Sequence, residues 1–274
     1  MKRIAVIGLG IIGASVARSL KRNGLAVDGF DLNEETLSYA LKMEYIDGVV
    51  RSVDAYDCVF LAIPPKATVK ALTTFAFKDG AFVADICGVK ECIERAVYEK
   101  LRNYRYIGLH PMAGKETSGI KSSSQTLFNG ANLVITVADK TDRTALEEAR
   151  EFAQLMGFGK IVECSAREHD QKIALTSQLA HIVSNAYVKS GQVPHCDGFT
   201  GGSFQDMTRI AGVDENMWTE LYMLNREYIL TELRGLIGEL SVYEKAISEG
   251  NDADLRAALA HGAAIRKKIK RKND

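Results

Sequence analysis

The chain opens with Ile4-Ala5-Val6-Ile7-Gly8-Leu9-Gly10-Ile11-Ile12-Gly13, and no other stretch constrains its fold as much. A short apolar run that ends in glycines spaced G-x-G-x-x-G and then enters a helical pattern, here Ala14 to Lys21, describes a strand, a tight turn and a helix. Each glycine has its own reason. Gly8 permits the turn off the strand, Gly10 lets the backbone approach a pyrophosphate, and Gly13 allows helix and strand to pack closely. Ile11, Ile12 and Gly13 begin the helix, whose free N–H groups and partial positive charge face the phosphates. A second strand, Ala26 to Phe30, ends in Asp31, about twenty residues past the glycines, where the acid that binds the ribose hydroxyls belongs. A carboxylate there repels a 2′-phosphate, so the spacing predicts NAD rather than NADP.

Composition narrows the setting. The 274 residues, 46% hydrophobic, can bury a sizeable core in one large domain or two moderate ones. The 35 basic and 35 acidic residues cancel, so no global field argues for nucleic acid or a membrane surface. The six Lys and Arg between Arg266 and Lys272 read as a solvated helix end. No apolar run approaches the ~20 residues of a membrane span, and the N-terminus enters the first strand without a signal-peptide pattern. A cytoplasmic protein is expected. Cys58, Cys87, Cys92, Cys164 and Cys196 are scattered, with no C-x-x-C pair, which predicts reduced thiols and no structural metal.

The first half alternates short apolar runs with amphipathic helical stretches, the pattern of a parallel sheet covered on both faces. A helix is expected from Glu34 to about Met43, then a buried strand from Cys58 to Ile63, closed by Pro64-Pro65. Carboxyl ends of strands in such a sheet point into the ligand crevice, so Ala62, Ile63 and Pro64 are expected against the nucleotide. A helix from Lys66 to Phe75, a strand from Ala81 to Asp85, a helix from Glu91 to Leu101 and a strand from Tyr106 to Leu109 follow, the last carrying His110 at its carboxyl end. After a polar loop, Gly114 to Gln125, come a strand from Ala131 to Val137, a helix from Asp142 to Met156 and a strand from Lys160 to Cys164.

Beyond Arg167 the alternation disappears. Long helical patterns run from Asp170 to Lys189, Met217 to Ser248 and Ala253 to Lys270, interrupted by the Gly- and Pro-containing break from Gly191 to Gly202. The fold class is therefore α/β then all-α: a Rossmann-type parallel-sheet domain over residues 1–164, followed by an all-helical dimerisation and substrate domain over 165–274. The Met217 to Ser248 stretch is apolar on more than one stripe, through Trp218, Leu221, Tyr222, Leu224, Tyr228, Ile229, Leu233, Leu236, Ile237 and Leu240. Such a surface favours a two-fold homodimer.

A histidine at a strand end in a nucleotide-binding domain can take a proton from a hydroxyl as hydride leaves its carbon, and an ordinary pKa of about 6.5 suits that task. His110 fits, with Pro111 holding it in extended geometry. His169 and His181 fall on one predicted helix, His195 in the break and His261 near the end.

His110-Pro111-Met112-Ala113-Gly114-Lys115-Glu116-Thr117-Ser118-Gly119 closely resembles the H-P-M-x-G-x-x-x-S-G signature of the prephenate/arogenate dehydrogenase family of tyrosine biosynthesis. The glycine turn, Asp85-Ile86-Cys87-Gly88-Val89-Lys90, Glu168-His169-Asp170 and the segment Gly202 to Ala211 with Trp218 follow in the family's order. The resemblance implies an oxidative decarboxylation: NAD⁺ takes hydride from C4 of a cyclohexadienol ring, the 4-hydroxyl gives its proton to His110, and loss of CO2 makes the ring aromatic. Prephenate would give 4-hydroxyphenylpyruvate and arogenate would give tyrosine. No metal is implied, because nicotinamide is the electron sink.

Carried over position by position, the resemblance makes Arg209 the fork that holds a substrate carboxylate, a bidentate task that suits Arg better than Lys. His181, flanked by Gln178 and Ser184, would face the substrate side chain. Glu116 and Asp206 match acids near the mouth of the site, and Trp218 is expected to close the pocket from the partner subunit. With no acid evident on the His181 face to pair an ammonium, prephenate is the expected substrate. One departure concerns Gly88, where many relatives carry Ser. Either Cys87 or a backbone N–H substitutes for that hydroxyl, or His110 works without it. Neither a regulatory domain after Asp274 nor a chorismate mutase segment before Met1 is expected, and tyrosine inhibition is accordingly expected to act in the active site. Two other readings share the glycine turn: another helical-dimer Rossmann dehydrogenase or imine reductase, and a non-catalytic NAD-sensing protein. Neither explains the segment from His110 to Gly119.

Overall fold

The computed structural model describes residues 2–115 and 117–269. Glu116 and the basic positions 270–272 therefore lie outside the described residues. The chain divides into two compact units, Met1–Asn225 and Arg226–Asp274.

The first unit is built on an eight-stranded sheet of order β3-β2-β1-β4-β5-β6-β7-β8. Its strands are β1 Ile4–Ile7, β2 Val27–Phe30, β3 Gly48–Val49, β4 Cys58–Leu61, β5 Phe82–Asp85, β6 Arg105–Met112, β7 Asn132–Thr136 and β8 Lys160–Cys164. From β3 to β6 every pairing is parallel. β7 then pairs antiparallel with β6, and β8 pairs parallel with β7. The chain crosses from β1 outward to β2 on one side and to β4 on the other, which opens a crevice at the carboxyl ends of β1 and β4.

Period-two alternation splits the core between the two faces. In β4, Cys58 and Phe60 join one apolar cluster with Leu20 of α1 (Ile11–Arg22) and Phe152 of α5 (Arg143–Met156). Val59 and Leu61 join the other with Leu72 of α3 (Pro65–Thr74) and Ile93 of α4 (Glu91–Tyr98). Phe60, Phe82 and Phe152 meet with ring centroids 5.1 to 5.7 Å apart. Each such buried ring contributes about 1.5–3 kcal/mol through area removed from water. Side-chain caps start the outer helices. Asn33 accepts from Thr36 N at α2 (Glu34–Lys42), and Asp142 accepts from Ala145 N at α5.

The sheet corrects one expectation about His110. The strand does not stop at Leu109 but continues to Met112, and His110 pairs with Val134 of β7. The antiparallel β7 extends the ladder where a loop was expected. β5 ends opposite Gly108, so from Leu109 onward the pairings of β6 are with β7, a one-sided position that tolerates Pro111.

The helical part is more broken than its pattern suggests. The expected helix from Asp170 to Lys189 is α6 (Ala166–Ile173), a π-helical turn (Ala174–Leu179) and α7 (Ala180–Tyr187). α8 (Gly202–Thr208) follows the Gly-rich break. The expected helix from Met217 to Ser248 is cut at Asn225 into α9 (Glu215–Leu224) and α10 (Arg226–Ser248). Asn225 leaves helical geometry at φ −111°, ψ 22°, and its buried Nδ2 donates to Asp170 O at 2.9 Å and Gln178 Oε1 at 2.5 Å. Those two buried bonds outweigh helical continuity.

The second unit is a helical hairpin of α10 and α11 (Asp252–Lys268), the latter capped by Asn251 accepting from Asp254 N. Tyr243 Oη donates to Ala258 O across the pair. No described helix is long and apolar enough to cross a membrane.

Candidate active site

The glycine turn shows why two of its glycines are demanded by the protein itself. Gly8 sits at φ +90°, and a Cβ there would stand 2.3 Å from Ala62 O. A Cβ at Gly13 would stand 1.9 Å from Gly8 O. Gly10 is different, because it is exposed and a Cβ there would meet nothing within 4 Å. Gly10 is the N-cap of α1 and offers no side-chain cap, and Ala14 N makes the first bond back to Gly10 O. The N–H groups of Ile11, Ile12 and Gly13 thus begin a helix above an open cradle, which fits a pyrophosphate. Asp31 is held beside it, with Oδ2 accepting from Leu9 N at 2.7 Å and Oδ1 from Asn33 N at 2.9 Å. Ala62 N donates to Ile7 O and its carbonyl lies over Gly8, so Ala62, Ile63 and Pro64 stand at the crevice from the β4 side. The residues present fit an NAD dinucleotide.

His110 lies two strands over from β4, on β6. Its imidazole faces the Gly88 loop, where an added Cβ would be 3.8 Å from His110 Nε2 and 3.6 Å from Leu221 Cδ2 of α9. Its other nitrogen, Nδ1, lies 2.7 Å from His169 Nε2 on α6. Burial pushes the His110 pKa well below the ordinary imidazole value, and the charges of His169 and Lys90 push it the same way. His169 is also lowered, chiefly by burial, against the opposing hydrogen bond from Asp170. Both rings are therefore uncharged near neutrality, which is the form a proton acceptor needs.

Beneath them is a buried polar group. Lys90 Nζ and Asp85 Oδ1 are 2.5 Å apart and fully buried, and Tyr106 Oη donates to Asp85 Oδ2 at 2.6 Å. Cys87 does not replace a serine at Gly88. Its Sγ contacts Thr68 Oγ1 at 3.3 Å and Ile63 O at 3.4 Å, so the thiol is committed to the packing of α3, and burial raises its pKa.

α9 supplies a helical wall. Trp218 and Leu221, three residues apart, share one face of it. Leu221 approaches Gly88, and Trp218 stacks on His181 with centroids 4.0 Å apart. The helix is pinned at its middle and at its C-terminal end: Glu220 Oε1 accepts from Lys66 N at the start of α3, and Asn225 is bonded as described. Trp218 therefore meets His181 of its own chain, where the sequence led us to expect it from a partner. His181 Nδ1 donates to Ser177 O at 2.9 Å within the π-helical turn, an irregularity often found at functional positions. Gln178 is buried against Asn225, and its Nε2 has no hydrogen-bond partner. Arg209 ends α8 with its N–H donating to Gln205 O, and α7 holds this segment through Ser184 Oγ to Met207 O and Asn185 Nδ2 to Ala211 O. Asp206 lies exposed on α8, and Glu116 lies outside the described residues.

His169 with Asp170, Asn225 and Glu220 were not assigned roles from sequence. The available signal was the Ser165-x-x-Glu168 capping pattern, which starts a helix just before an adjacent His-Asp pair. Nothing local connects that pair to His110, which is 59 positions away.

A glycine cradle at a β1/β4 crevice, an acid at the carboxyl end of β2 and an uncharged histidine on β6 are the parts of an NAD-dependent oxidoreductase. The sequence matches the family model described as prephenate dehydrogenase, nucleotide-binding domain, over residues 16–162, and that described as prephenate dehydrogenase, dimerization domain, over residues 165–261. The chain belongs to the prephenate dehydrogenase family. It is 30% identical over 253 residues to the prephenate dehydrogenase of Bacillus subtilis, covering 86% of this chain and 68% of that one. Among solved structures, it resembles prephenate dehydrogenase from A. aeolicus in complex with hydroxyphenyl propionate and NAD⁺, with a TM-score of 0.86, 28% identity and coverage of 98% and 99%. It also resembles Synechocystis arogenate dehydrogenase, with a TM-score of 0.77, 26% identity and coverage of 97% and 99%.

Proposed function

We propose that this enzyme oxidatively decarboxylates prephenate to 4-hydroxyphenylpyruvate with NAD⁺. The observation that carries the reading is an imidazole, His110, held uncharged beside the Gly88 loop in a chain whose glycine turn leaves an open cradle. Bound NAD⁺ supplies the acceptor for the hydride leaving ring C4. His110 takes the proton of the 4-hydroxyl as that carbon becomes a ketone. Release of CO2 sends its bonding electrons into the ring, and the same proton returns to the oxygen of the phenol.

Arg209 holds a substrate carboxylate in this reading, with Gln178 and Asp206 assigned to the same pocket, as is Glu116, which lies outside the described residues. His181, braced by Trp218, meets the side chain. The cofactor pocket comprises Gly8, Gly10, Ile11, Ile12, Gly13, Asp31, Ala62, Ile63 and Pro64. The boundary between nucleotide-binding and helical parts falls after Cys164, supported by the limits of the two family matches. The helices form a homodimer, and the reduced, buried thiols of Cys58 and Cys87 suit the cytoplasm.

Arogenate is the second reading, and His181 favours it. With Nδ1 donating to Ser177 O, Nε2 is the ring nitrogen left to meet the substrate side chain, and an acceptor there suits an ammonium. Steady-state kcat/KM for prephenate and arogenate, each with NAD⁺ and NADP⁺, tests the reading. We expect prephenate with NAD⁺ to give the highest value. A preference for arogenate would give His181 the acceptor role, and turnover of neither substrate would overturn the assignment.

A further inference from the structure

Accepting one proton requires one imidazole at His110, yet the structure places a second behind it. His169 and Asp170 are each only 2% exposed. They continue inward from His110 in a chain of short contacts: His110 Nδ1 to His169 Nε2 at 2.7 Å, then His169 Nδ1 to Asp170 Oδ1 at 2.6 Å. Asp170 is in turn fixed by two backbone donors at the start of α4. Lys90 N reaches Oδ1 and Glu91 N reaches Oδ2, each at 2.9 Å. A carboxylate at a helix N-terminus is favoured by the free N–H groups there.

The chemistry of these atoms gives the chain a direction. A carboxylate only accepts, so His169 Nδ1 must carry the hydrogen. In an uncharged His169, Nε2 is then the acceptor. His110 Nδ1 must consequently donate to it, which leaves the lone pair of His110 on Nε2, the nitrogen nearest the Gly88 loop. Without the relay an uncharged imidazole divides its proton between its two nitrogens, and only one of the two forms can accept the substrate proton there.

We propose that His169 and Asp170 are positioning residues that lock His110 in the Nδ1–H tautomer and so keep Nε2 open for the substrate hydroxyl. The proposal rests on the reading of His110 as proton acceptor. When the substrate O–H bond breaks, an N–H bond forms at His110 Nε2, and the Nδ1–H of the resulting imidazolium shares its charge with His169 Nε2. The proton is returned to the phenol oxygen after CO2 leaves, so the relay neither gains nor loses one over the cycle. Other groups around the pair are accounted for. The charge of Lys90 is balanced by Asp85, while Val134 of β7 and Leu221 of α9 bring none.

The test is nitrogen-15 NMR of the imidazoles in the full-length enzyme, joined to kinetics of His169→Phe and His169→Gln. In the parent, above the acid limb of activity, His110 should show a protonated Nδ1 and an unprotonated Nε2. His169→Phe, which offers no acceptor, should mix the two tautomers and lower kcat roughly tenfold or more, part of the ~10²–10⁴ that a general base supplies. KM for prephenate and NAD⁺ affinity should stay within about twofold. His169→Gln, whose side-chain oxygen can accept from Nδ1, should recover most of the loss. A parent His110 in the Nε2–H form, a Phe variant with parental kcat, or a Gln variant no better than Phe would each overturn the proposal. The parent spectrum needs no variant to fold. A parent that turns over neither cyclohexadienol would overturn the functional reading, while its tautomer would still decide this one.

Discussion

At the scale of the residue, His110 shows how burial tunes a common side chain. Desolvation is the largest cause disfavouring its imidazolium, and its electrostatic interactions with His169 and Lys90 act the same way, so its pKa lies well below the ordinary value of about 6.5. A group with a depressed pKa is uncharged above that value and protonated below it, so the base is present at neutral pH and lost as pH falls. We therefore expect log kcat/KM to be flat through neutrality and to fall only on the acid side of 6.5, as a pH–rate profile will read. His110→Ala should remove that limb and lower kcat by ~10²-fold or more, with NAD⁺ affinity nearly unchanged. An Ala variant that keeps the parental limb would place the base elsewhere. The same sign governs stability. Two histidines buried uncharged contribute their full stability above about 6.5, the value they regain on unfolding, and that contribution is lost as pH falls from there through their depressed folded values.

At the scale of the element, legibility followed the range of the interactions. β1 and β4 are buried on both faces and read as unbroken apolar runs, and the glycine turn is legible from its own spacing, with Gly13 packed on Gly8 O, although Gly8 is also required by the distant Ala62 O. His110 was expected at the end of its strand, where it lies inside one that continues to Met112, because pairing with β7 is a tertiary event that local pattern does not encode. The cut between α9 and α10 was hidden for a similar reason. The apolar pattern runs straight through Asn225, and only its buried bonds to Asp170 O and Gln178 Oε1, 55 and 47 residues away, explain the break. Asn225→Ala removes both bonds, strands a buried acceptor and restores a strong helix former at the break. We expect it to lower unfolding free energy by about 1–3 kcal/mol in urea titration, the cost of leaving buried polar groups unsatisfied. It should also weaken kcat, because Asn225 holds the backbone carbonyl of Asp170, whose side chain meets His169 and the start of α4. A variant of parental stability would mean that water replaces the lost bonds.

At the scale of the whole molecule, the second unit carries apolar surface that its own two helices leave exposed. Two antiparallel helices bury little of their own surface. Within α10 and α11, Ile237, Leu240, Ile247, Leu259 and Ile265 are between 48% and 64% exposed, a density of apolar side chains that monomeric surfaces seldom carry. The family match over residues 165–261 is to a dimerization domain, which identifies the class of partner such a surface meets. A second copy of the chain offers the same apolar positions, and a two-fold interface lets each copy cover the other. Stability of an obligate dimer is tied to protomer concentration. We therefore expect sedimentation to give a homodimer, and the thermal midpoint to rise with protein concentration. Replacing Leu240 and Leu259 together by Glu places four buried carboxylates in the paired copies, and the dimer should dissociate. A parent that sediments as a monomer at micromolar concentration would reject the interface. A Glu variant that remains dimeric would move it to other faces of the same helices.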